Sequence, residues 1–233
     1  MYYPMYYMFD PTYVLIIIGV LISLGASAKL RSTYQQYAGV RSRCGMTGEE
    51  AARRLLQSQG IYDVTICRVH GNLTDHYDPR TKTVNLSDSV YGSTSIAAIG
   101  VAAHECGHAM QDAQDYGPLR LRSALVPVAN FGAQLSWPLI IIGLLLGGSS
   151  LISLGILLFS LAVLFQLVTL PVEYNASHRA VTLLDSIGIL QGQEVGQTRK
   201  VLHAAALTYV AAAAGSILQL LRLLILFGNR RDD

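Results

Sequence analysis

Apolar runs alternate with two polar stretches along the chain, and this alternation predicts the architecture. Four runs approach the roughly 20 apolar residues that cross a bilayer as a helix: Thr12–Leu30, Leu125–Leu146, Leu151–Leu170 and Ala204–Phe227. A Gly147-Gly148-Ser149-Ser150 turn separates the second from the third, which predicts a transmembrane hairpin. Four spans put both termini on one side and the polar segments 31–124 and 171–203 together on the other. The tyrosine-rich Met1–Tyr7 suits an aromatic belt at headgroup level. No basic region or A-x-A-like cleavage site accompanies the first run, so it is expected to stay as an anchor.

The polar segment carries its own element signals. Thr47 and Glu50 form a capping-box pattern ahead of a helix over Ala51–Ser58, with Gly60 as its terminating glycine. Val64–Val69 is short and β-branched and predicts a strand. His76–Val84 predicts a hairpin turning at Asp78-Pro79-Arg80, with a second strand over Thr83–Leu86. Ser93 or Ser95 then caps a helix over Ser95–Met110 that is rich in small apolar residues. The fold class expected is a mainly α membrane protein (α+β) with about four transmembrane helices, a zincin-like catalytic unit and a small β-hairpin.

Composition agrees. Hydrophobic residues make up 52% of the 233 positions and charged residues 14%, against about 25% charged in an ordinary soluble domain. A formal net charge of +2 gives no footprint for nucleic acid. The three dispersed cysteines, Cys44, Cys67 and Cys106, supply no disulfide framework and suit a reducing compartment.

The chemistry concentrates in His104-Glu105-Cys106-Gly107-His108, an H-E-x-x-H motif. On a helix, His104 and His108 share a face and can offer two imidazoles to one zinc ion, with Glu105 in reach of a zinc-activated water as general base. Alone the motif is short. Here it puts three polar side chains inside an apolar helix, where buried polar groups need partners. Gly107 is costly in a helix interior and implies a packing reason, while Cys106 points to the opposite face and reads as core. The bland alternative is a buried pair of hydrogen-bonded histidines. A zinc site of this kind needs a third ligand, and Glu173, just past Pro171 at the expected first turn of a new helix, competes with His178. The alternative for Glu173 is a first-turn glutamate favoured by the helix dipole.

Together with this motif, Met46–Arg53, Leu73–Arg80, Ala103–Asp112, Leu119–Ser123, Val126-Pro127 and Leu170–Glu173 resemble the YugP-type neutral zinc metallopeptidases across nearly the whole chain. The resemblance implies a gluzincin-like site with His104, His108 and Glu173 as zinc ligands and Glu105 as catalytic base. The chain departs from the family pattern after Glu173. Asn175 stands where Asp is usual and His178 where Arg is usual. Ser177 occupies the place of an Asp that orients a zinc-bound histidine in the related HtpX and CAAX-protease groups.

The expected organisation is an N-terminal anchor (1–30), a cytoplasmic catalytic region with the motif helix (31–124), a transmembrane hairpin (125–170), a third-ligand helix region (171–203) and a C-terminal span (204–233). Lys29, Arg31, Arg41, Arg43, Arg120, Arg122, Arg179, Arg199 and Lys200 flank the spans on the motif side, against Arg230 and Arg231 opposite, so the motif is expected in the cytoplasm; the alternative is that Arg230 and Arg231 mark a cytoplasmic tail. Val84–Leu86 is expected to be an edge strand that pairs with substrate. Arg179, His178, His203 and Tyr209 are candidate oxyanion donors, and Asp75 or His76 a candidate holder of a ligand histidine. Arg222 inside the last span reads as snorkelling to the interface, and Gln166 and Gln219 as interhelical hydrogen-bond formers. The function expected is a membrane-anchored zinc metalloendopeptidase acting on peptides or membrane proteins at a lipid bilayer. The rivals are a non-catalytic zinc-stabilised scaffold and an intramembrane site-2-type protease. Protein partners are not indicated.

Overall fold

A computed structural model describes residues 10–228. Met1–Tyr7, Arg230 and Arg231 lie outside the described residues. The elements are helices α1 (Tyr13–Ala38) and α2 (Gly48–Ser58), strands β1 (Thr65–Val69), β2 (His76–Asp78) and β3 (Thr83–Ser87), and helices α3 (Asp88–Tyr91), α4 (Ile96–Ala113), α5 (Gly117–Leu146), α6 (Ser149–Ser186) and α7 (Gln193–Phe227). The chain is a mainly α membrane protein: α1, α5, α6 and α7 are long and apolar enough to cross a bilayer. It divides into two compact units. One holds residues up to 27, 121–169 and from 208 onward; the other holds 28–120 and 170–207.

In the first unit, large apolar side chains such as Ile17, Leu21, Leu145 and Leu157 are exposed, as lipid-facing positions are. Gly147 ends α5 at φ +69°, so two glycines suffice to turn the chain into α6. Arg222 turns its side chain to residues around the start of α1. Its side chain is 11% exposed, 3.6 Å from the Asp10 carboxylate and 4.3 Å above the Tyr13 ring. The carboxylate offsets the cost of a charge in an apolar setting. Gln166 keeps Oε1 buried without a hydrogen-bond partner, so the expected interhelical bond from that atom is absent among the described residues.

The second unit begins with the capping box. The Thr47 hydroxyl accepts from Glu50 N and the Glu50 carboxylate accepts from Thr47 N, fixing the start of α2. Ser95 caps α4 by accepting from Ala98 N at 3.2 Å. Leu55 and Leu56 of α2, Val84 and Leu86 of β3, Ile99, Ala102, Ala103 and Cys106 of α4, and Ala180 and Leu184 of α6 form one buried cluster. The sheet order is β1-β3-β2, with β3 parallel to β1 and antiparallel to β2. Strand β3 is therefore central rather than an edge. Its Val84 and Leu86 are fully buried, as side chains of a strand paired on both sides and packed on the core are.

The expected break at Pro171 is also absent. Helix α6 runs through it, with Pro171 in its interior. A proline there costs about 3 kcal/mol in an ordinary helix. Val172, Ala176, Ala180 and Leu184, spaced four apart and all buried, hold one continuous stripe against the core and keep the helix unbroken. Glu173 is accordingly no first-turn residue, and the helix-dipole explanation for it lapses.

Gly107 sets the distance between α4 and α6. A Cβ there would stand 2.5 Å from the Ala176 carbonyl oxygen. Substituting Gly107→Ala should force the helices apart and lower stability by about 1–3 kcal/mol. A thermal-unfolding midpoint equal to wild type would contradict this packing role.

Candidate metal centre

Two helices build the site. Helix α4 presents His104 and His108 on one face, with ring centroids 4.8 Å apart and planes at 84°. Helix α6 presents Glu173, which is 2% exposed. Glu173 Oε2 lies 3.2 Å from His104 Nε2 and 3.6 Å from His108 Nε2. One ligand atom from each of the three residues falls within 4.8 Å of the others. His178, the rival at the sequence level, is exposed and outside this group.

The atoms behind the imidazoles fix which nitrogen faces the centre. Gln111 Nε2 donates to the Val172 carbonyl at 2.8 Å and to Asn175 Oδ1 at 3.0 Å. A carbonyl only accepts, so the amide is oriented with Oε1 toward His108. That oxygen lies 3.0 Å from His108 Nδ1, which must donate. In the neutral ring, His108 Nε2 then carries a lone pair and faces a carboxylate oxygen, acceptor against acceptor, in a buried setting. A cation between them removes the conflict. The donor set, two imidazole nitrogens and a carboxylate oxygen, is the one that catalytic zinc takes. Burial pushes the His108 imidazole down, but the hydrogen bond and charge of Glu173, with the charge of Glu105, raise it above the ordinary histidine value. The site thus attracts positive charge, and protons compete with metal for it.

His104 Nδ1 is 3.1 Å from the Ser177 hydroxyl. Ser177 thus contacts one histidine of the motif, and Asn175 anchors the amide that holds the other, His108. Gln111 was not singled out from the sequence. Its signal is its place one turn after His108, buried and polar in an apolar helix. Asp75 and His76 do not hold the histidines. Asp75 accepts from the Ser87 N–H and hydroxyl, and His76 contacts the Thr74 carbonyl and Asn85.

Glu105 is 8% exposed, and no hydrogen bond or ion pair engages its carboxylate among the described residues. Cys106 packs into the core with its thiol toward the Ala52 carbonyl; burial pushes its pKa far up, which leaves it inert. Of the oxyanion candidates, Arg179 is engaged by Asn175 and Gln114 and stacks on Tyr116. His178 and His203 line a small cavity with Tyr174 and Ser177. Tyr209 belongs to the other unit.

The fold is that of a mainly α membrane protein, and His104, His108 and Glu173 form a group that could hold a metal ion. The model of a family described as "Putative neutral zinc metallopeptidase" matches residues 12–228, and the chain belongs to that family. It is 50% identical over 212 residues to a Bacillus subtilis (strain 168) protein named "Putative membrane protease YugP", covering 91% of this chain and 94% of the relative. No solved structure matches the chain.

If Glu173 is the third ligand, Glu173→Ala should lose zinc by elemental analysis while His178→Ala keeps it; the reverse would overturn the assignment. Gln111→Ala should weaken zinc affinity about 10- to 100-fold through a disordered His108. Unchanged affinity in a competition titration would remove Gln111 from that role.

Proposed function

We propose that the chain is a membrane-anchored zinc endopeptidase in which His104, His108 and Glu173 hold the ion and Glu105 is the general base. The observation that carries this reading is the meeting of three ligand atoms, two of them on buried residues, beside an unengaged glutamate on the helix of the two histidines. Zinc, when bound, supplies Lewis-acid polarisation of a peptide carbonyl and lowers the pKa of a water.

The chain's own residues do the rest. A carboxylate oxygen of Glu105 accepts the proton of the attacking water as the water oxygen bonds to the carbonyl carbon. Glu105 then delivers that proton to the amide nitrogen as the C–N bond breaks, and returns to its ionised state. Gln111 keeps His108 Nε2 turned toward the centre, and the Ser177 contact does the same for His104. Because Glu105 has no hydrogen-bond donor holding it, its proton transfers break no existing interaction.

The substrates proposed are peptides or membrane proteins near the bilayer, matching a catalytic unit tethered by apolar helices. Cations flanking the spans favour a cytoplasmic site. A zinc-stabilised scaffold without activity would need no base beside the metal, and Glu105 argues against it. An intramembrane site-2-type protease carries its motif on a spanning helix, whereas α4 is not among the four helices apolar enough to span.

Glu105→Gln should retain zinc at wild-type stoichiometry and lower hydrolysis of a quenched peptide library at least about 100-fold. Retained cleavage would sink the mechanism. For sidedness, Tyr62 is 78% exposed. A Tyr62→Cys variant lacking Cys44 and Cys67 should react with an impermeant maleimide in inside-out vesicles only; labelling of intact cells would place the site outside.

A further inference from the structure

A second cleft, of about 750 Å³, lies between α1 and α7 within the unit that holds the metal centre. Lys29, Arg199, Lys200 and His203 line it, together with the hydroxyl-bearing Thr33 and Tyr37, and no carboxylate does. Lys29, Arg199 and Lys200 are exposed, and among the described residues none of their side chains has a hydrogen bond or ion pair. Glu194, the acidic residue of α7, is buried away and accepts from the Arg43 N–H at 2.8 Å. Three unneutralised cations this close repel one another and favour an anion among them.

The cleft is built rather than incidental. Tyr34 and Tyr37 of α1 pack with Ala97 of α4 and Val201 of α7 in a buried cluster that fixes the two walls. Thr33 and Tyr37 are themselves buried. The sequence positions matter as well. Lys29 is the first charge after the uncharged run 11–28, and Arg199, Lys200 and His203 precede the uncharged run 204–221. On both helices the cations therefore stand where apolar chain gives way to polar chain, the level at which lipid phosphates lie.

We propose that this cleft binds the phosphate-bearing headgroup of an anionic lipid. Exposed, flexible lysine and arginine heads around a wide opening suit a ligand already concentrated at an interface. A site for free phosphate would surround it with buried donors. The proposal does not rest on the catalytic reading.

The test uses the full chain in neutral detergent, titrated with fluorescent phosphatidylglycerol and with fluorescent phosphatidylcholine. Binding of phosphatidylglycerol should be saturable. Each Lys or Arg near an anionic lipid contributes about fivefold, so the triple variant K29Q/R199Q/K200Q should bind at least about tenfold more weakly. The equal-charge control R31Q/R41Q/R54Q, whose residues lie outside the cleft, should stay within about twofold of wild type. Equal losses in both triples would show diffuse attraction and overturn the proposal, as would equal binding of phosphatidylcholine. Displacement by inorganic phosphate as effective as by unlabelled phosphatidylglycerol would overturn the lipid assignment. If the triple variant fails to fold, the three single variants decide: no loss in any of them overturns the cleft.

Discussion

The bare Cα of Gly107 lets α4 approach α6 so closely that a methyl group would stand 2.5 Å from the Ala176 carbonyl oxygen. That approach brings the imidazoles of α4 to the Glu173 carboxylate of α6, and it brings Gln111 to the Val172 carbonyl. One missing side chain thus serves both the ligand set and the network behind it. Ala176 and Ala180 have the same effect from the other helix, since small buried residues there allow close contact.

The second consequence is electrostatic. Glu173 is almost fully buried, and a buried carboxylate is unfavourable unless charge or hydrogen bonds offset its lost hydration. Two imidazoles face it, and the Gln111 amide makes one of them, when neutral, present a lone pair. The protein has therefore stored an interaction that a cation completes. Breaking one part of it, such as the Gln111–Val172 bond, would release the His108 ring and with it the alignment of the lone pair.

Much of this was legible in the sequence because it rests on local rules. The capping box at Thr47 and Glu50, the N-cap at Ser95, the paired histidines and the four apolar runs each depend on residues close in the chain. What escaped depends on burial and partners far along it. Nothing local tells that β3 is flanked on both sides, because strand order follows from where Val84 and Leu86 can be covered. Pro171 gives a local stop signal, and tertiary packing overrides it. Arg222 finds Asp10 from the opposite end of the chain. Gln111 looked like an ordinary polar residue at a helix end; only its meeting with Val172 and Asn175 of α6 gives it a role.

The central claim is that α4 and α6 together hold one zinc through two imidazoles and a carboxylate. X-ray absorption at the zinc edge of the purified full chain tests it most directly. The expected spectrum shows a nitrogen and oxygen shell near about 2.0–2.2 Å with the multiple scattering of two imidazoles and no sulfur. A sulfur shell near about 2.3 Å, or the signature of a single imidazole, would contradict it.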